Sequence, residues 1–287
     1  MQTVLTPSRH IAIQGFKGSF HELAARKYFG DDITLEMCDT FPRLFRHLAQ
    51  GTAHLGVVAI ENSVAGTILP NYSLLRNTGF VIAGEVYLRI EQNLMALPGQ
   101  RLEDIREVHS HPMALQQCMQ FLDAHPHIRL VESADTAASA IWIRENNLTG
   151  VAAIASRLAA EQQHLEILAP GIETNKRNFT RFWILADPET APTLAPAPDK
   201  SSLCFNLVHK VGSLAQILLV LGSHGMNLTK IQSLPIVGHE WEYFFHLDVE
   251  FEDLAQFQRA LAAITPLVND LQILGTYPRG SKDGLEA

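Results

Sequence analysis

Charged side chains make up only 18% of the 287 residues, and lysines and arginines nowhere form a block. So low a share argues against long disordered charged tracts. The net charge is −8, which makes nucleic acid and anionic membranes poor partners, and any site for an anion has to be built locally. Cysteine is scarce as well. Cys38, Cys118 and Cys204 are far apart and odd in number, which gives no disulfide framework and no metal-ligand spacing and suits a reduced cytoplasm. No apolar run approaches the ~20 residues that span a bilayer. The opening residues, MQTVLTPSRH, lack the apolar core of a secretory signal, and none is expected. There is no internal repeat. What is present is a 47% hydrophobic fraction in a chain long enough for one large domain and one small one.

Strand and helix patterns alternate through the first part. Residues 10–14, 33–37, 55–60, 128–131, 151–154 and 179–185 read as strands, residues 80–88 as extended, and residues 19–29, 41–49, 69–75 and 134–144 as helices. Leu115, Cys118, Met119 and Leu122 fall at i, i+3, i+4 and i+7, so a helix is expected after His111 with Pro112 in its first turn. This alternation predicts parallel-type α/β layers. Residues 187–200 hold four prolines in fourteen positions and read as a semi-rigid linker. Beyond it the order becomes βαββαβ, the ferredoxin-like arrangement. Trp241, Tyr243, Phe245, Leu247, Val249 and Phe251 alternate there with polar residues, as in a half-buried strand. The expected boundaries are 9–187 for the first domain, 188–200 for the linker and 201–278 for the tail.

Four stretches carry residues suited to chemistry. Gly15-Phe16-Lys17-Gly18-Ser19 joins a strand to a helix, and reads either as a plain turn or as an anion site at the helix start. Glu61-Asn62-Ser63 follows an apolar strand, where it either caps a helix or points into a ligand crevice. His109-Ser110-His111-Pro112 leads into a helix bearing Gln116 and Gln117. Two histidines so close bring a metal to mind, but neither HExxH nor a nearby cluster of Cys or carboxylate supports one, and no metal is expected. Residues 175–182 set three cations, two asparagines and a threonine at the mouth of a strand, either as the best local anion site of an acidic chain or as a solvated basic turn.

Taken together and in this order, the four stretches resemble the prephenate dehydratase family from about residue 11 to residue 186. Asn178-Phe179-Thr180-Arg181-Phe182 matches its N-x-T-R-F motif. The GxxGS turn, Glu61-Asn62-Ser63 with Gly66, His109-Ser110-His111-Pro112 with Gln117-Cys118, and residues 133–140 match further blocks. Met113 stands where the family often has Gln, and Ala59 where it often has Pro. The tail resembles an ACT domain. The resemblance implies a catalytic part of two α/β lobes similar to periplasmic-type binding proteins, residues 9–86 with 175–187 and residues 87–174, with the active site between them. It implies a cytoplasmic enzyme that turns prephenate into phenylpyruvate without metal or organic cofactor. Catalytic roles are implied for Thr180, Asn62, Ser110 and Gln117, and substrate contacts for Ser19, Glu61, Ser63, Arg181 and Phe182. Control by L-phenylalanine is implied through Gly212, Ser213, Leu214, Asn227, Leu228, Gln232 and Ser233. Gln232-Ser233-Leu234-Pro235, however, lacks the carboxylate and guanidinium of the family's ESRP motif. Pairing of tails implies a homodimer, or a tetramer built from dimers. An arogenate dehydratase and a non-catalytic organic-anion binding protein on the same scaffold are the alternative readings.

Overall fold

The computed structural model describes residues 9–281, apart from Pro196, His209, Val237 and His239. The chain divides into two compact units, one of residues 9–68 and 86–182, the other of residues 69–85 and 183–281.

In the first unit, β1 (Arg9–Gln14) lies parallel to β2 (Ile33–Cys38) and β3 (Leu55–Asn62), with α1 (Phe20–Phe29) and α2 (Phe41–Ala49) as crossovers. Ile11, Ala12 and Ile13 are fully buried, as a parallel strand covered on both faces requires. Both helices begin with a side-chain cap. Ser19 Oγ accepts from Glu22 N and Thr40 Oγ1 from Arg43 N, each meeting an N–H group that a helix start leaves unpaired. The chain continues through β4 (Gly66–Thr67); α3 (Leu69–Arg76) and the first half of β5 (Val81–Arg89) belong to the second unit, and in the sheet order β11 (Phe179–Ala186) stands between β3 and β5.

The second sheet of this unit comprises β6 (Asn93–Ala96), β7 (Glu107–Ser110), β8 (Arg129–Glu132), β9 (Val151–Ala155) and β10 (Glu166–Ala169) in the order β10-β6-β9-β7-β8. β7 is parallel to β8 and β9, but β6 runs antiparallel to both neighbours. The parallel expectation fails there because β6 follows β5 after only Ile90, Glu91 and Gln92, and no helical crossover sets its direction. Helices α6 (Thr136–Glu145) and α7 (Arg157–Gln163) pack Ala137, Ala140, Ile143 and Ala159 against Met95 and Ala153. The helix expected after His111 is in fact two, α4 (Pro112–Gln117) and α5 (Met119–Asp123), broken at Cys118 with φ −103° and ψ 9°. A continuous helix would bond the Gln117 carbonyl to residue 121; here it accepts from Thr174 N at 2.8 Å, and Phe121 N turns to the Cys118 carbonyl.

The second unit carries a one-turn helix, α8 (Ala191–Leu194), inside the proline-rich stretch. It continues with β12 (Lys200–Asn206), α9 (Ser213–Ser223), β13 (Asn227–Pro235), β14 (Tyr243–Glu250), α10 (Leu254–Ile264) and β15 (Asn269–Tyr277). The sheet is antiparallel, ordered β13-β14-β12-β15, so the βαββαβ reading of the tail holds. Leu203, Phe205, Leu247 and Val249 pack with Ile217, Leu221, Phe257 and Ile264 of the two helices. His246 and Asp248 of β14 do not face water as a half-buried strand would have them, and Lys200, Ser202 and Cys204 of the neighbouring β12 share their buried face. Lys200, Ser202, Cys204, His246 and Asp248 are all 3% exposed or less. Parts of the same unit cover them: the Tyr72 ring stands edge-on to His246 at 5.0 Å, and Lys200 Nζ lies 3.0 and 3.2 Å from the Glu85 carboxylate oxygens.

A buried ion pair that loses one partner strands the other charge, at a cost of about 3–5 kcal/mol. Lys200→Met is expected to lower stability by about that much in chemical denaturation, and Lys200→Met with Glu85→Leu to recover most of the loss. A single variant as stable as the wild type would show the pair to be immaterial.

Candidate active site

Two segments join the sheets of the first unit, residues 90–92 and 170–178, and they are bonded to each other. Ile172 N donates to the Gln92 carbonyl at 2.7 Å and Ile90 N to the Asn178 carbonyl at 2.8 Å. The second segment runs straight into β11, where Thr180 is buried to 8% exposure. Asn62, at the end of β3, stands beside it. Its Oδ1 accepts from Val64 N at 2.9 Å and Ala65 N at 2.7 Å, an Asx turn. Only an oxygen can accept two N–H groups, so the amide nitrogen faces the other way. Nδ2 donates to Thr180 Oγ1 at 3.0 Å and to Asn178 Oδ1 at 2.7 Å. A hydroxyl has one hydrogen. With Thr180 Oγ1 accepting from Asn62, that hydrogen is left for another acceptor. Asn178 Nδ2 in turn donates to Gln117 Oε1 at 2.9 Å. Beside this group opens a cavity of about 670 Å³, lined among others by Val64, Ala65, Met113, Gln117, Thr174 and Asn178, of a size that admits a small molecule.

The groups around Thr180 are mostly neutral. His21 lies behind the strand, its ring 5.0 Å from Phe182, and its Nε2 accepts from Ala59 N. Burial pushes its imidazole down to about 3, so it stays uncharged at neutral pH. Arg181 Nη1 lies 3.9 Å from Glu61 Oε2. The Gly15–Ser19 turn is held against the second sheet's helices. Ser156 Oγ donates to the Gly18 carbonyl, and a Cβ at Gly18 would meet Ala159 Cα at 2.5 Å. Asp135, the cap of α6, sits over Gly15, and burial raises its carboxyl above the usual range.

The family model for prephenate dehydratase matches residues 11–190. The chain belongs to the prephenate dehydratase family. It is a lyase-type dehydratase by that membership. The bifunctional chorismate mutase/prephenate dehydratase of Escherichia coli K12 is 34% identical over 276 residues, covering 94% of this chain and 71% of that protein. Arogenate dehydratase 5, chloroplastic, of Arabidopsis thaliana is 36% identical over 286 residues, covering 93% and 67%. Among solved structures, the prephenate dehydratase of Arthrobacter aurescens in complex with L-Phe superposes with a TM-score of 0.84 at 30% identity, covering 94% of this chain and 90% of that one. GqqA, described as a novel type of quorum-quenching acylase, superposes with a TM-score of 0.85 at 33% identity, covering 96% and 99%.

Of the family positions, Thr180, Asn62 and Gln117 come together in one hydrogen-bonded group. The others are placed differently. Ser110 is fully buried and donates to the Ile154 carbonyl at 2.6 Å, tying β7 to β9, and Phe182 is a core residue, 1% exposed. Neither side chain lines the cavity, and nor do those of Thr180 and Asn62; Gln117 and Asn178 are the members of the group that line it. Ser19 caps α1, and Ser63 Oγ donates to the Arg177 carbonyl while accepting from Phe179 N, both at 3.0 Å. His111 caps α4 through Nδ1, whereas His109 lies 3.1 Å from Glu107. In the tail, Gly212 caps α9 with φ +84°, just ahead of Ser213 and Leu214, while Asn227, Leu228, Gln232 and Ser233 lie on the edge strand β13. Asn178 opens the N-x-T-R-F motif but was given no role of its own, and Gln92 was not singled out from the sequence. For Asn178 a signal existed, since two positions before Thr180 on a strand is the same face. Gln92, a lone glutamine between strands, gives none.

Gly18 and Gly30 offer a clean comparison, with φ +85° and +82°, because a Cβ at Gly30 would meet nothing within 4 Å. Alanine at either carries a positive-φ backbone cost of about 1–3 kcal/mol, Gly30 with ψ −173° lying where essentially only glycine goes. Gly18→Ala is expected to cost about 2 kcal/mol more than Gly30→Ala in chemical denaturation, from the clash with Ala159. Equal losses would show that contact to carry nothing.

Proposed function

We propose that the chain converts prephenate into phenylpyruvate, carbon dioxide and water, a step of phenylalanine biosynthesis, in the cleft where Thr180 meets Asn62 and Gln117. The bond to the ring carboxylate breaks and its electron pair moves into the ring. The opposite C–O bond breaks, and the departing hydroxyl takes a proton to leave as water. Aromatisation supplies the driving force, so the reaction asks for no electron-sink cofactor. Its difficulty is charge building on the leaving oxygen. The observation that carries the reading is the Thr180 hydroxyl: its oxygen accepts from Asn62, and its hydrogen is available to the leaving group. A preorganised donor at such an oxygen contributes about 3 kcal/mol. Arg181 and the start of α1 are the candidates to grip the pyruvyl carboxylate. Neutral amides suit the ring, because a cation on the carboxylate that leaves would stabilise the ground state and oppose its loss.

Two relatives define rival substrates. The arogenate dehydratase likeness is tested by comparing kcat/KM for prephenate and arogenate, and prephenate is expected to be preferred. The likeness to GqqA makes amide hydrolysis the other reading. It calls for a nucleophile bonded to a base, and among the described residues the hydroxyls of Ser110, Ser156 and Ser63 donate to backbone carbonyls, while that of Thr180 meets a neutral amide. Hydrolysis of an acyl amide by the purified chain, with no turnover of prephenate, would reverse the choice.

The βαββαβ tail is proposed as an ACT domain that binds phenylalanine at the start of α9 and along β13, on a chain that pairs through its tails. The support is the tail's topology and the L-Phe complex of the Arthrobacter relative. Equilibrium dialysis is expected to show binding at or below millimolar phenylalanine; none at that concentration would end the idea. For the chemistry, Thr180→Val is expected to lower kcat at least ~100-fold with KM nearly unchanged. Turnover near that of the wild type would remove Thr180 from the mechanism.

A further inference from the structure

A side-chain amide has an accepting end and a donating end, so a run of amides in contact has a direction. In this cleft the main chain sets it. Val64 N and Ala65 N claim Asn62 Oδ1, and Asn62 therefore turns Nδ2 toward Asn178. Asn178 answers with Oδ1 and must turn Nδ2 toward Gln117. Gln117 answers with Oε1, which also accepts from Gln92 Nε2 at 3.4 Å. No member can turn over without setting two donors or two acceptors face to face. Gln117 Oε1 is thus engaged twice, and its amide hydrogens remain for the cavity that Gln117 lines. Gln92 is 3% exposed, and among the described residues its Oε1 has no hydrogen-bond partner. A buried acceptor is seldom left so. The arrangement is explained if the donor to Gln117 matters more, because a flipped Gln92 would set oxygen against oxygen. The backbone of Gln92 is gripped as well, its N–H donating at 2.9 Å to Glu173, a carboxylate 1% exposed.

We propose that Asn178 and Gln92 are positioning residues for the dehydration: through Asn62 and Gln117 they hold two hydrogens, one on Thr180 and one on Gln117, toward the leaving oxygen. This rests on the functional reading above. The test is steady-state turnover of prephenate by the full chain carrying Asn178→Asp, Gln92→Leu, Gln117→Leu, and Gln92→Leu with Gln117→Leu. Asn178→Asp keeps the acceptor for Asn62 but sets a second acceptor against Gln117 Oε1, so the Gln117 amide turns its oxygen to the cavity. Its kcat is expected to fall at least ~10-fold with KM within about twofold. Gln92→Leu is expected to lose about 3–10-fold in kcat alone, but less than about 1.5-fold when added to Gln117→Leu, because it acts only through that residue. Variants that match the wild type, losses confined to KM, or losses that multiply in the double variant overturn the relay. If Asn178→Asp fails to fold by circular dichroism, the Gln92 and Gln117 cycle decides alone. A wild type that does not turn over prephenate sinks the functional reading and the relay with it, whereas an active wild type matched by its variants sinks the relay only.

Discussion

The carboxamide oxygen of Asn62 is held by two main-chain N–H groups, from Val64 and Ala65, and an amide held so has one orientation left. A free asparagine could present oxygen or nitrogen to Thr180 at little difference in energy, and the hydroxyl would follow whichever it met. Here the turn chooses. That turn is itself tied down, since Ser63 N donates to the Phe179 carbonyl and Ile68 N to the Ile60 carbonyl. The orientation of the Asn62 amide, and with it the accepting role of Thr180 Oγ1, is therefore a property of backbone geometry. Electrostatic preorganisation means this in structural terms: the donor does not have to be turned into place while the bond is breaking.

The same logic explains why an acidic protein can work on an anion with so few cations at hand. Prephenate brings two carboxylates, and only one of them should be gripped. The charges nearby are paired: Arg181 stands near Glu61, and Lys176 and Arg89 come within 4 Å of the buried Glu173. The side chain bonded to Thr180 is an amide, and the His21 imidazole against Phe182 is buried and neutral. Neutral donors stabilise charge as it develops on the leaving oxygen without holding the departing carboxylate in place.

Strand and helix positions in the first unit were largely legible from hydrophobic runs, because parallel strands buried on both faces leave a continuous signal. The short elements β6, β7, β10 and α7 were not read at all, and three further features escaped the pattern. The direction of β6 depends on a three-residue connection that carries no periodicity. The break at Cys118 comes from Thr174 taking the Gln117 carbonyl, a contact between residues 57 positions apart that an i, i+3, i+4 pattern does not contain. The buried polar face of the tail sheet reads as a wet face, since alternation reports that one face is polar and not what covers it. In the site, Thr180, Asn62 and Gln117 were reached by motif, and motif likewise nominated Ser110 and Phe182, whose side chains turn inward. A motif records which residues recur together. It does not separate those that face a ligand from those that hold the facing ones in place.

That covered polar face also limits how the second unit can meet a copy of itself. Ser202 Oγ donates to Asp248 Oδ1 at 2.6 Å and sits 2.6 Å from the Tyr277 hydroxyl, and Lys200 with Glu85 continues the layer. The opposite face is closed by α9 and α10. With both faces used, stacking of two such sheets face to face would cost a helix layer or strand buried charges. What stays open is the pair of edge strands, β13 and β15, whose outer N–H and C=O groups have no strand beside them in this sheet. One of these edges, β13, is the strand that carries Gln232 and Ser233.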